Sequence, residues 1–153
     1  MSPVACPAIP STAPSAVPPV LALAGSRAPL PSTVLVVEDE PFVCELAAEA
    51  LADEGYRVLT AADALEAETI LARESVDLLF TDIDLARNTN GIVLARHARG
   101  RLPGLPVVYT SGGRAGLTQA EAVSESVFVA KPYQTSDIVA LTNDLLRGLS
   151  HHG

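Results

Sequence analysis

Ser75 to Asp84 reads SVDLLFTDID, and the fold turns on whether this stretch is a strand or part of a helix. A short, mostly apolar run, Val76 to Phe80, leads at once into Thr81, Asp82, Ile83 and Asp84. Periodicity alone does not separate a buried strand from a buried helical segment, but the run is short and bounded by polar residues. That favours a strand inside a parallel sheet. Open parallel α/β sheets bind ligands beyond the carboxyl ends of their strands. Two carboxylates, Asp82 and Asp84, stand where this strand ends.

The same pattern repeats on either side. Thr33–Val37 (TVLVV), Tyr56–Thr60 (YRVLT), Pro106–Thr110 (PVVYT) and Val127–Ala130 are the other strand candidates. Between them lie helical stretches. Pro41 suits a first helical turn, with Phe42, Val43, Leu46, Ala50 and Leu51 as the apolar stripe and Gly55 as the C-terminal cap. Asp63 and Glu66 resemble a capping box ahead of Leu65, Thr69, Ile70 and Leu71. Gly91 opens a third helix to about Arg99. Thr118 and Glu121 form a second capping box for a short fourth helix. Ile138, Leu141, Thr142, Leu145 and Leu149 line the last one. Five alternations with short connections predict an α/β fold, a parallel five-stranded sheet with helices on both faces.

The chain has 153 residues, 48% of them hydrophobic, and a net charge of −8. Residues 1–32 hold one charge, Arg27, and eight of the twelve prolines, so the remaining chain carries −9. Proline this dense opposes helix and sheet, and predicts a disordered, Pro/Ala-rich tail before a single domain over 33–149. Residues 150–153 are expected to be disordered as well. The tail lacks a basic start and its apolar runs are broken by proline, which argues against a signal peptide. No uninterrupted apolar run is long enough for a membrane span. So acidic a chain should be repelled by nucleic acid and anionic lipid. Cys6 and Cys44 fall in the tail and in a helix, so no disulfide is expected and a cytoplasmic location fits.

The residues with chemistry all follow strands: Glu38 and Asp39, then Asp82 and Asp84, then Ser111, then Lys131. If those strands are neighbours, their ends share one rim. Carboxylates gathered there repel one another unless a cation lies among them. Oxygen donors without Cys or His select a hard divalent ion, Mg²⁺ foremost. Lys131 and the Ser111 hydroxyl suit an incoming phosphoryl group. Lys131 is the only lysine beside nine arginines, which points to a need for a compact point charge.

VLVVEDEP, DLLFTDIDL, PVVYTSG and FVAKPY, in this order and spacing, resemble the response-regulator receiver domains of the chemotaxis-regulator type, from about Ser32 to Leu149. The resemblance implies the flavodoxin-like doubly wound sheet, order 2-1-3-4-5. It implies Asp82 as phosphoacceptor, and Glu38, Asp39, Asp82 and the Asp84 backbone carbonyl as the Mg²⁺ set. Ser111 matches the switching hydroxyl, Lys131 the phosphate lysine, Phe128 the switching aromatic and Pro132 the proline after a cis peptide bond. A sensor histidine kinase or phosphotransfer protein would be the donor. A downstream protein would dock on the face made by helix four, strand five and helix five. Catalysis would be limited to the domain's own phosphorylation and dephosphorylation. The chain departs from the family in three places. The Asp82–Gly91 loop is one residue longer than is usual in the family, Ala86 replaces a frequent proline, and Gly112 and Gly113 replace residues with side chains.

Two other readings compete. A haloacid-dehalogenase-type phosphatase also places Asp-x-Asp after a strand, but expects a threonine where Ala86 stands and a late acidic pair. A receiver-fold interaction module without phosphorylation would not need Asp39, Asp82 and Lys131 together. The chain ends soon after its last helix, which leaves the expectation of no DNA-binding domain.

Overall fold

The structure, a computed structural model, describes residues 30–152. Most of the predicted tail, 1–29, lies outside them. Five strands alternate with four helices: β1 (Thr33–Val37), α1 (Pro41–Asp53), β2 (Arg57–Ala61), α2 (Ala64–Arg73), β3 (Leu78–Asp82), α3 (Gly91–Arg101), β4 (Val107–Ser111), β5 (Ser126–Ala130) and α4 (Thr135–His152). The sheet is parallel throughout and ordered β2-β1-β3-β4-β5. This is the flavodoxin-like arrangement expected.

Register sets the geometry of the rim. Val37 pairs with Thr81, Asp82 with Thr110, and Ser111 with Ala130. Val37 is level with Thr81, Tyr109 and Phe128, so Glu38 emerges beside Asp82, with Ser111 one residue and Lys131 two residues further along the same rim. Strands β2, β3 and β4 run one or two residues further than their apolar runs. Asp82 and Ser111 are still in the ladder, because backbone pairing is indifferent to a polar side chain that has a partner at the strand end. Ile83 continues the pairing, its N–H donating to the Thr110 carbonyl at 2.9 Å.

Alternation sends successive side chains to opposite faces. Leu35, Val37, Leu79, Val107 and Tyr109 pack with α2 and α3 through Ala67, Leu71, Leu94, Ala95 and Ala98. Val34, Val36, Leu78, Phe80 and Val108 pack with α1 and α4 through Ala47, Leu51 and Ile138. Both faces of the sheet are covered, which is why its central strands read as continuous apolar runs. Among the described residues, no helix is long and apolar enough to cross a membrane.

Helix faces were the less accurate part of the reading. Helix α1 buries Ala47 and Leu51, while Phe42 is 68% and Leu46 43% exposed. Helix α2 buries Ala67 and Leu71, with Leu65 exposed. Each helix thus packs on the sheet through one small and one bulky residue, Ala47 with Leu51 and Ala67 with Leu71, and leaves other bulky residues exposed. Helix α4 continues to His152, so the expected disordered end at 150–153 is corrected to helix through that residue.

The short fourth helix does not form. Its capping box does: Glu121 N–H donates to Thr118 Oγ1 at 3.2 Å, and Thr118 N–H donates to Glu121 Oε1 at 3.0 Å. One turn closes on the Thr118 carbonyl, and then Val123 N–H donates sideways to the Tyr109 hydroxyl at 3.1 Å. Arg96 donates to the Ala120 carbonyl, and Arg99 to the Ser124 carbonyl. Arg114 donates to both oxygens of Glu121. With Gly112, Gly113 and Gly116 on its N-terminal side, the segment is held as a loop by long side chains and gains little from a nucleus it cannot extend. The expected face of helix four, strand five and helix five is therefore this pinned loop with β5 and α4. Tyr109→Phe should leave the Val123 N–H without its acceptor and cost about 1 kcal/mol. Urea unfolding of the two proteins measures it, and equal midpoints would mean that water replaces the hydroxyl without loss.

Candidate functional site

Glu38 follows β1 and Asp82 ends β3; both are buried, whereas Asp39 is exposed. Oxygen atoms of Glu38, Asp39 and Asp82 all lie within 4.8 Å of one another. Lys131, directly after β5, reaches into this group. Its Nζ donates to Glu38 Oε1 at 2.6 Å and to Asp82 Oδ2 at 2.9 Å. The cation that the clustered carboxylates require is thus partly supplied by the chain itself.

The remaining bonds fix each carboxylate. Glu38 Oε2 accepts from Glu40 N–H at 3.1 Å, and Asp82 Oδ1 accepts from Asp84 N–H at 3.3 Å. Burial raises the Glu38 carboxyl above its ordinary pKa, partly opposed by the hydrogen bond from Lys131. Burial acts against the Lys131 ammonium, but hydrogen bonds to Glu38 and Asp82 outweigh it and hold its pKa above the usual lysine value. Tyr133, two residues on, is pushed up to about 12, by burial first and then by the charge of Glu38.

Ser111 stands on the other side of Asp82. Its Oγ donates to Asp84 Oδ2 at 3.3 Å and accepts from Gly113 N–H at 3.1 Å. Thr110, paired with Asp82 in the sheet, is fully buried, and its hydroxyl makes no hydrogen bond among the described residues. The Lys131–Pro132 peptide is cis. Phe128 is partly buried and packs on the α2/α3 side of the core, in register with Tyr109. The structure therefore gathers Glu38, Asp39, Asp82 and Lys131 into one cluster and sets Ser111 and Asp84 at its edge. Phe128 contributes to the core below.

Sequence reasoning passed over the residues that hold the loop after Asp82. Asp84 and Asn90 form an antiparallel bridge, with Gly91 N–H donating to the Ile83 carbonyl at 2.8 Å and Leu85 N–H to Thr89. The Asp84 carbonyl lies outside those bonds. Arg87 and Asn88 take left-handed conformations, φ 59° and 55°. Arg87 is ion-paired with Asp63, and Thr89 Oγ1 accepts from Ala64 N–H. Asn90 caps α3 by accepting from Ile92 N–H at 2.6 Å. At Gly91 a Cβ would stand 2.1 Å from the Asp82 carbonyl oxygen. A glycine at the first position of a helix, where it is a poor helix former, was the available signal for that close approach.

The family model for the response regulator receiver domain matches residues 34–143. The chain belongs to the response-regulator receiver family. Receiver relatives are found among curated proteins. The probable transcriptional regulatory protein TcrX of Mycobacterium tuberculosis is 32% identical over 126 residues, covering 76% of this chain and 50% of that protein. The nitrogen assimilation regulatory protein NtrX of Azorhizobium caulinodans is 34% identical, covering 76% of this chain and 26% of that protein. The chain thus spans half the length of the first and about a quarter of the second. A response regulator receiver protein from Sinorhizobium medicae superposes with TM-score 0.72 at 27% identity, covering 76% of this chain and 95% of that one. The receiver domain of NtrX from Brucella abortus superposes with TM-score 0.65 at 31% identity, covering 74% and 98%.

The donor set suits the Mg²⁺ that the family implies. Three carboxylates and no Cys or His make an oxygen-only site, open on the Asp39 side.

Proposed function

We propose that this receiver takes a phosphoryl group from the phosphohistidine of a sensor histidine kinase or phosphotransfer protein onto Asp82. The observation that carries the reading is the Lys131 ammonium, 2.9 Å from Asp82 Oδ2 and 2.6 Å from Glu38, beside three clustered carboxylates. An Asp82 oxygen attacks phosphorus, the new P–O bond forms, the P–N bond breaks, and its electron pair stays on the imidazole nitrogen. Asp84 N–H and Lys131 orient the nucleophile, and Lys131 offsets negative charge on the transferred oxygens. Glu38, Asp39, Asp82 and the Asp84 carbonyl would hold Mg²⁺, which would supply further positive charge to those oxygens. Ser111 turns to the new acyl phosphate and Phe128 moves into the space it leaves. The surface of β5, α4 and the pinned loop then changes its affinity for a downstream protein. The domain needs no other catalysis, no nucleic acid and no membrane, and a cytoplasmic location goes with this role.

The test is incubation with acetyl phosphate and Mg²⁺, with the adduct mapped by mass spectrometry. A phosphoryl group on Asp82, absent in Asp82→Asn, supports the proposal. An unmodified wild type would favour the phosphorylation-independent interaction module.

A further inference from the structure

The Ser111 hydroxyl is already engaged in the resting structure. It has one proton, directed to Asp84 Oδ2 at 3.3 Å, and it accepts from Gly113 N–H at 3.1 Å. Asp84 is exposed; among the described residues it makes no ion pair within 4 Å, though the Arg114 guanidinium is near enough to feel its charge. Its backbone N–H meanwhile donates to Asp82 Oδ1. One residue thus touches the phosphoacceptor with its main chain and the switching hydroxyl with its side chain.

We infer that the Asp84 carboxylate is a positioning group that competes with the phosphoryl group for the Ser111 proton and so sets how readily phosphorylation engages the switch. The inference rests on the phosphoacceptor reading of Asp82. A hydroxyl with one proton serves one strong acceptor at a time. Ser111 cannot donate to an oxygen on Asp82 until it gives up Asp84. The bond to Gly113 does not oppose this, because the oxygen can keep that N–H while its own proton turns. The distance is long for O–H···O, so the competition is modest, suited to biasing a switch and not to locking it. The loop favours the arrangement: the Asp84–Asn90 bridge fixes the backbone from which the carboxylate projects.

Removing Asp84 also removes a negative charge near an anion, so a single variant does not separate competition from repulsion. A double-mutant cycle does. Beryllofluoride affinity is measured by calorimetry at saturating Mg²⁺ for wild type, Asp84→Ala, Ser111→Ala and the double variant. Asp84→Ala keeps the backbone carbonyl and N–H, and an exposed side chain is removed without a cavity. Charge repulsion predicts the same gain from Asp84→Ala in both backgrounds. Competition predicts a gain about two- to fivefold larger when Ser111 is present. Equal gains, or no gain in either background, would overturn the latch while leaving Asp82 as phosphoacceptor. A wild type that binds no beryllofluoride would overturn the phosphoacceptor reading and the latch with it.

Discussion

Gly91→Ala is expected to lower unfolding stability by about 3 kcal/mol and to weaken beryllofluoride binding at the same time. A Cβ on Gly91 would lie 2.1 Å from the Asp82 carbonyl oxygen, 2.9 Å from Thr81 Oγ1 and 3.0 Å from the Asp82 carbonyl carbon. Two of those atoms are main chain, and they have nowhere to go. The Asp82 carbonyl accepts from Thr81 Oγ1 at 2.8 Å, and the next residue, Ile83, is tied to Thr110. Relief requires either lifting α3 off β3 or turning the Asp82 peptide, and both move the carboxylate proposed to accept the phosphoryl group. Alanine's better helix propensity offsets little at a first helical position. Gly100 is the internal control: it lies in the same helix, and a Cβ there meets nothing within 4 Å. Gly100→Ala should stabilise, by up to about 1 kcal/mol. Urea unfolding of both variants checks the pair. A Gly91→Ala protein within about 1 kcal/mol of wild type would mean that the α3–β3 contact yields easily.

That glycine also marks the boundary of what the sequence made legible. Strand identity was readable because a sheet covered on both faces needs uninterrupted apolar residues, and TVLVV and PVVYT supply them. The rim followed, since Glu38, Asp82, Ser111 and Lys131 each stand at the end of a strand, and the parallel pairing brings those ends within two residues of one another. Helix faces were harder to read. Bulky Leu51 and Leu71 are buried as expected, but Phe42, Leu46 and Leu65, which look like core residues by hydropathy, are exposed, and the small Ala47 and Ala67 take the remaining contacts with the sheet. The capping box at Thr118 and Glu121 was real as local chemistry. It did not imply a helix, because Tyr109, Arg96 and Arg99 draw the following backbone elsewhere, and those contacts come from residues distant in sequence. The Asp84–Ser111 bond has the same character: the two residues are 27 apart, and only the paired strands bring them together.

Lys131→Ala is expected to cost about 2 kcal/mol near neutral pH, and the cost should shrink as the solution is acidified. Glu38 and Asp82 are buried carboxylates that share one ammonium. Removing it leaves two adjacent charges without a partner, which is costlier than the pair was stabilising. The figure is kept below that for a fully buried pair because Lys131 is partly exposed. The pH dependence follows from the direction of each shift. In the wild type, the Glu38 carboxyl already lies above its ordinary 4.5, because of burial, and Lys131 holds it down. Without Lys131 it rises further. A folded-state pKa above the unfolded one means that the folded protein binds the proton more readily, so stability increases as pH falls from neutral towards 4.5. Lys131 contributes in the opposite range. Its raised folded pKa gives stability that is complete below the ordinary 10.5 and is lost as pH rises through the folded value. Wild type and variant should therefore differ most between neutral pH and about 10, and converge on either side. Millimolar Mg²⁺ should recover part of the loss by replacing the missing cation. Lys131→Arg separates charge from shape. It should keep most of the stability, but its planar fork cannot place one compact donor between Glu38 and Asp82, so beryllofluoride should no longer change partner binding. Thermal unfolding from pH 5 to 10, with and without Mg²⁺, tests the electrostatics. A Lys131→Ala protein as stable as wild type at pH 8 would remove the ammonium from its place among the carboxylates.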